Sequence, residues 1–220
     1  MLWRGFARVF NKYHNIKVDT KKEKLEDFKT AITSTVRSLS NSEKIEVIFG
    51  NHTTKSLENS IRLPELDRTE NKLNYEEIRA LADSKSLRWR FSNKETLKKY
   101  EPEGNISKKL YSVSEKIRCE KIGAGYFKGV KSNIENFYQK RIAGLDLKSS
   151  EDKIIESFEN YLRIKFLDFK SESQIDKKLK TYKKDLNDKF KNSIVELKES
   201  ALDQEKFNAL ISQLISDMSL

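Results

Sequence analysis

The chain has 220 residues, 35% of them charged and 10% aromatic, and 44 Lys and Arg against 34 Asp and Glu leave a net charge of +10. That aromatic content excludes wholesale disorder, and 7 Gly with 2 Pro are too few for a sandwich, a barrel or a doubly wound sheet, so a mainly α fold is expected. The single cysteine, Cys119, excludes an intrachain disulfide, and no apolar run is long enough to span a bilayer, so a cytoplasmic protein is expected.

Residues 1–24 form an amphipathic N-terminal segment. Leu2, Trp3, Phe6, Val9, Phe10 and Tyr13 alternate with Arg4, Arg8 and Lys12, which describes a basic amphipathic helix and not a signal peptide. A second region, 25–144, reads as a helical core with a small β-ribbon over about residues 45–63. Its first helix spans about Lys22–Leu39, with Leu25, Phe28, Ile32, Thr35, Val36 and Leu39 at helical spacing, and Ser40-Asn41-Ser42 ends it. Ile45–Phe49 is a strand, closed by Gly50-Asn51. Ile61–Leu63 is its partner, with residues 51–60 as the loop between them. Asn74-x-x-Glu77 is a capping box opening a helix that runs to about Trp89 or Phe91. Pro102 and Gly104 break the next stretch. Asn105 then caps a long helix with Ile106, Leu110, Val113, Ile117 and Ile122 on one stripe; it is expected to reach about Arg141, with Gly125 and Gly129 as weak points and Gly144 at its end.

A third region, 145–220, reads as a helical hairpin followed by a C-terminal helix, with a soft boundary near residues 144–150. Ser150, Glu151 and Asp152 start a helix with a wide apolar face from Ile154 to Phe166. Ile175, Leu179, Tyr182, Leu186, Phe190, Ile194 and Leu197 make a further stripe in a Lys-rich frame, expected as a long hairpin helix or short coiled coil. Asp203 caps a last helix carrying Phe207, Leu210, Ile211, Leu214 and Ile215.

Chemistry-bearing constellations are few. His14 and His52 are far apart and lack Cys partners, so no metal-ligand spacing exists. Gly123-Ala-Gly125 to Gly129 is neither a dinucleotide fingerprint nor a phosphate loop, and small residues for close helix packing are the better reading. No serine- or cysteine-based triad has a recognisable setting. The most informative segment is Glu115-Lys-Ile-Arg-Cys-Glu-Lys-Ile-Gly-Ala124. Glu115 and Arg118 are three apart and share a helix face, Glu120 lies on another face and is expected to meet a partner helix, and Gly123 admits another backbone. Charges of both signs inside an apolar stripe point to an interior network or a site. Arg79 and Asp83, at i,i+4, form a second cluster with Arg88, and Arg62 stands in the ribbon. Their two readings are structural ion pairs that fix helix register and a patch that binds an anion or docks a partner.

Taken in order, these blocks resemble the amino-terminal region of the CobT family, subunits of the aerobic, ATP-dependent cobaltochelatase. The blocks are Phe28–Arg37, Glu46–Gly50 with Arg62-Leu-Pro64, Arg79–Ser84 with Leu87-Arg88, Glu115-x-x-Arg118-x-Glu120-x-x-Gly123-Ala124, and Asp203–Phe207 running on to Met218. The likeness covers about residues 25–218. Where the family tends to carry a His-Asp pair after the Leu-Arg helix, this chain has Phe91-Ser92-Asn93. The resemblance implies a non-catalytic scaffold or adaptor domain in a AAA+ assembly that inserts cobalt into a corrin-ring precursor during cobalamin biosynthesis. It implies a CobS-like ATPase and a CobN-like large subunit as partners, with an acidic linker or acidic protein surface as a further one. No cofactor is expected on this domain itself; ATP, magnesium and cobalt belong to the complete assembly. The family's von Willebrand A domain is expected to be absent from this stretch. The alternative, resting on +10 and the Lys-rich hairpin, is a basic helical module that binds nucleic acid or protein and has no role in chelation.

Overall fold

The computed structural model describes residues 23–50, 59–66, 75–171, 175, 177 and 179–218. The amphipathic reading of residues 1–17 and the Asn74 cap lie outside the described residues.

The first helix, α1 (residues 23–40), buries Leu25, Ile32, Val36 and Leu39 while Thr35 faces solvent. The Thr35 hydroxyl, three residues from the buried face at Ile32, donates back to the Ala31 carbonyl at 2.9 Å. Asn41, at φ 54°, ends the helix in the left-handed conformation that Asn tolerates. Strands β1 (Glu46–Phe49) and β2 (Ser60–Leu63) pair in parallel, Val47 beside Ile61 and Phe49 beside Leu63. A direct hairpin would make the pair antiparallel, so this pair is not a hairpin. The parallel register sets these four apolar side chains on one face, the period-2 pattern of a half-buried strand. That face, with Ile45, joins α1 and the first half of α2 (Tyr75–Phe91) in one core containing Ile78 and Ala82. Arg37 Nε donates to the Ile45 carbonyl at 3.3 Å and Lys85 Nζ to that of Arg62 at 2.5 Å, which tie the ribbon to both helices.

The second half of α2 belongs to a larger core. Leu87 packs there with residues from α4 (Asn105–Tyr126), α5 (Val130–Gly144), α6 (Ser150–Lys165), α7 (Lys180–Phe190), α8 (Ile194–Glu199) and α9 (Gln204–Ser216). This cluster draws on residues from both sides of the 145–149 connection. Helix α6 is its centre: every residue from Glu156 to Arg163 is buried.

Several local details depart from expectation. The short helix α3 (Lys94–Lys99) was not anticipated. It starts because the Asn93 side chain accepts from the amides of Glu95 and Thr96. Asn93 also exchanges two hydrogen bonds with the Gln204 side chain, so the cap fastens α3 to the start of α9. The single long helix expected from Asn105 to Arg141 is two helices. The chain leaves the helical path at Phe127, and Gly129 takes φ +88°, a conformation that suits glycine and starts α5 in a new direction. Asn105 is the first residue inside α4, not its cap; Gly104 holds that place at φ +87°. Helix α6 is capped by Ser149, one residue before the expected start, through the Asp152 amide. Asp203 caps α9 as read, accepting from the Lys206 amide. The Lys-rich stripe is not one long helix either. It breaks between Phe190 and Ile194, and a 3-10 turn (Ser200–Leu202) follows α8.

Gly123 on α4 faces the Leu87 side chain on α2, not a second backbone. A Cβ there would stand 2.3 Å from Leu87 Cδ2 and 2.4 Å from Cδ1. Leu87 is fully buried, so it has little room to withdraw. Gly123→Ala gains about 1 kcal/mol of helix propensity and loses about 1–3 kcal/mol to overpacking, so urea denaturation should show a net loss. Gly125→Ala is the control: among the described residues nothing lies within 4 Å of its added Cβ, and this variant should be as stable as the parent or more so.

Candidate functional site

The charged residues singled out from the sequence do not form one cluster. Glu115 and Arg118 pair on α4, at 0% and 1% exposure. Arg118 Nε and Nη2 each reach a Glu115 carboxylate oxygen at 2.8 Å, the planar fork that guanidinium and carboxylate share. The same guanidinium donates to the Ala201 carbonyl in the 3-10 turn at 2.8 Å and to the Phe91 carbonyl at the end of α2 at 2.5 Å. One buried cation therefore ties together α4, α2 and the 3-10 turn. Burial alone would lower the Arg118 pKa; hydrogen bonding to Glu115 and nearby negative charge outweigh it and hold the group above its ordinary value. Cys119 beside it is fully buried, and desolvation pushes its thiol pKa well up, so it is an inert core residue.

Glu120 points to the other side of α4, as its position predicts. One carboxylate oxygen accepts from Arg163 Nη1 on α6 at 2.8 Å and the other from the Ser84 hydroxyl on α2 at 2.5 Å. Arg163 also forks onto Glu159 through Nε at 2.9 Å and Nη2 at 2.7 Å. Glu159 further accepts from Lys116 at 2.8 Å and from Arg141 at 3.3 Å, and Arg141 makes two bonds to Glu156. The Arg163 guanidinium lies 4.6 Å from the Tyr138 ring centroid and 5.5 Å from that of Phe169, so aromatic faces enclose its plane. Burial would raise the Glu159 pKa, but Lys116, Arg163 and Arg141 reverse it and hold the carboxyl far below its ordinary 4.5. The stability Glu159 confers is thus present above that ordinary value and is lost only as pH falls toward the depressed one.

Asp83 stands apart from both networks. It is 2% exposed and accepts from the Asn133 side chain on α5 at 2.9 Å. Arg79, its expected i,i+4 partner, is exposed and acts on it only through space. Arg79 lines a cleft of about 520 Å³ with Lys24, Phe28 and Tyr75. Arg88 reaches the Ser112 hydroxyl at 3.2 Å, and Arg62 sits half-buried on β2 opposite Ile48. Desolvation raises the Asp83 pKa, against the opposing effects of Asn133 and Arg79. A raised carboxyl makes the fold lose stability as pH climbs from 3.8 through the folded value. Asp83→Asn removes that loss. The variant should gain on the parent as pH rises toward neutrality, in chemical denaturation run across pH 3–7.

Sequence reasoning missed Glu156, Glu159 and Arg163, although their signal is the one that exposed Glu115 and Arg118. Glu159 and Arg163 are opposite charges four apart inside a wide apolar face. Asn133 and Ser84, as ordinary polar residues on their helices, carry no comparable signal.

Among the described residues, no three His, Cys, Asp or Glu side chains gather as a metal centre requires, and no helix is long and apolar enough to cross a membrane. The family model described as "Cobalamin biosynthesis protein CobT" matches residues 22–220. No solved structure matches the chain.

Proposed function

The chain belongs to the CobT family of cobalamin biosynthesis proteins, and from that premise we propose that this domain is a non-catalytic scaffold in a cobaltochelatase-type AAA+ assembly. Its task is to hold a CobS-like ATPase and a CobN-like large subunit together while cobalt enters a corrin-ring precursor. The observation that carries the reading is the pair of buried ion-pair networks. Arg118 locks α2, α4 and the 3-10 turn, and Arg163 locks α4 to α6. Charges buried and paired in this way leave the interior no easy way to repack, because moving either helix strands an ion in a low-dielectric core. A body that must pass force or register between two partners gains from such stiffness. The exposed faces carry the charges that meet partners, where electrostatic complementarity sets specificity and encounter rate.

The test is capture of the CobS-like and CobN-like subunits from the same source on immobilised domain, with washes of rising salt. Retention of either subunit through physiological salt is the expected result. Capture of neither, with nucleic acid co-purifying instead, overturns the scaffold reading.

A further inference from the structure

A cleft of about 540 Å³ opens between α6 and the start of α7. Its floor includes the Tyr161 ring and Leu179, both largely buried, and its rim carries Lys165, Lys180, Lys183 and Lys184. A volume of that order is enough for one or two apolar side chains or a small ligand. Lys165, Lys180 and Lys184 flank a floor that is largely but not wholly apolar, and neither ion-pair network reaches this face. The Tyr161 hydroxyl is a second feature: it is buried, and among the described residues it has no hydrogen-bond partner. Burying a hydroxyl without a partner is costly, so this side of α6 is less well satisfied than the two ion-pair networks.

We infer that this cleft binds an acidic protein segment carrying an apolar anchor, the anchor seated against Tyr161 and Leu179 and its flanking carboxylates on the lysine rim. The described lining contains lysine and no arginine. Lysines alone would accept any anion, and the apolar part of the lining is what asks for an occupant with apolar as well as anionic side chains. The flanking helix also interleaves Asp185 and Asp188 with its lysines. A continuous phosphate backbone would meet those carboxylates, while separate side-chain carboxylates can avoid them. The inference rests on the scaffold reading in that it names one kind of segment the scaffold holds.

The probe is a short fluorescein-labelled peptide with a central Trp-Leu pair flanked by glutamates, titrated against the full chain by fluorescence anisotropy. A glutamine-flanked version of the peptide and a single-stranded oligothymidylate are the comparators. The glutamate peptide should bind about tenfold more tightly than the glutamine one. K180E/K184E, both positions exposed, should weaken it by about tenfold with an unchanged far-ultraviolet circular dichroism spectrum. Tyr161→Phe, which keeps the ring the anchor rests on and removes only the buried hydroxyl, should leave binding within about twofold. Equal affinity for the two peptides, indifference to K180E/K184E, or preference for the oligothymidylate would each overturn the inference. The two readings fail separately. If K180E/K184E still captures the partner subunits and the peptide does not bind, the cleft assignment is wrong and the scaffold stands. If the peptide binds and neither subunit is captured, the scaffold reading is wrong and the cleft stands.

Discussion

Arg163→Ala is expected to cost about 3–5 kcal/mol, read as a lower urea midpoint and a fall in melting temperature on the order of 10 °C for a chain of this size. The deletion does not simply remove two ion pairs. It leaves Glu120, 1% exposed, with the Ser84 hydroxyl alone, and a carboxylate in that setting must stay charged without a cation or rearrange the helices to reach water. Glu159 suffers less because Lys116 and Arg141 remain on it. The Tyr138 and Phe169 rings also lose the cation between them. Lys116→Ala provides the comparison. Its ammonium is partly exposed and Glu159 keeps two arginines without it, so about 1 kcal/mol or less should be lost. Adding Glu120→Gln to Arg163→Ala should restore part of the deficit, since an amide is cheaper to bury than an unpaired carboxylate. If Arg163→Ala and Lys116→Ala cost the same, Glu120 is reaching solvent and the enclosed network is not as described.

The contrast between those two cations bears on what could be read from the sequence. Helix positions followed from apolar spacing, and the caps at Asp203 and the stop at Asn41 followed from residue chemistry. What did not follow were the breaks. Gly125 and Gly129 look equivalent on paper, yet the chain turns at Gly129 and Gly125 stays within α4. The choice between them is made by the larger core, which takes Ile134, Tyr138 and Ile142 only if α5 departs from the line of α4. The break between Phe190 and Ile194 has a similar origin. Phe190 stacks edge-on to Phe158 at 5.6 Å, and Leu197 joins the same core from the next helix. Spacing of three and four within each piece stays intact, so periodicity cannot register the interruption.

The polar interior was half legible for a related reason. Glu115 and Arg118 announce each other because they are neighbours on one helix. Glu120 carried the correct hint that it faces elsewhere, but its partner lies 43 positions along the chain and local spacing cannot name it. Asp83 shows the opposite failure. Arg79 is the partner that i,i+4 spacing offers, and the tertiary fold brings Asn133 instead. A weak local preference, worth a few tenths of a kcal/mol, yields to burial of the carboxylate against α5.

Arg118→Met should destabilise the fold by a similar amount, about 3–5 kcal/mol, and the pair with Glu115 allows its origin to be divided. In the single variant the Glu115 carboxylate keeps only the weak Cys119 thiol contact at 3.7 Å, and the carbonyls of Ala201 and Phe91 lose the Arg118 donor. The double variant Glu115→Met/Arg118→Met removes the stranded charge and fills the space with two unbranched apolar side chains. Replacing a whole buried pair in this way is often neutral or better. Here recovery should stop short, because the two carbonyls remain without Arg118 at about 1–3 kcal/mol for each one left unsatisfied. A double variant as stable as the parent would mean that those backbone contacts contribute little. A double variant no better than Arg118→Met would mean that the carbonyls, not the carboxylate, dominate. The same protein also separates rigidity from recognition. Glu115 and Arg118 present almost no surface, so a double variant that keeps its helical spectrum should still capture the partner subunits. Loss of capture from a folded double variant would instead require that the partner reads the position of α2 and the 3-10 turn, the two elements that Arg118 holds.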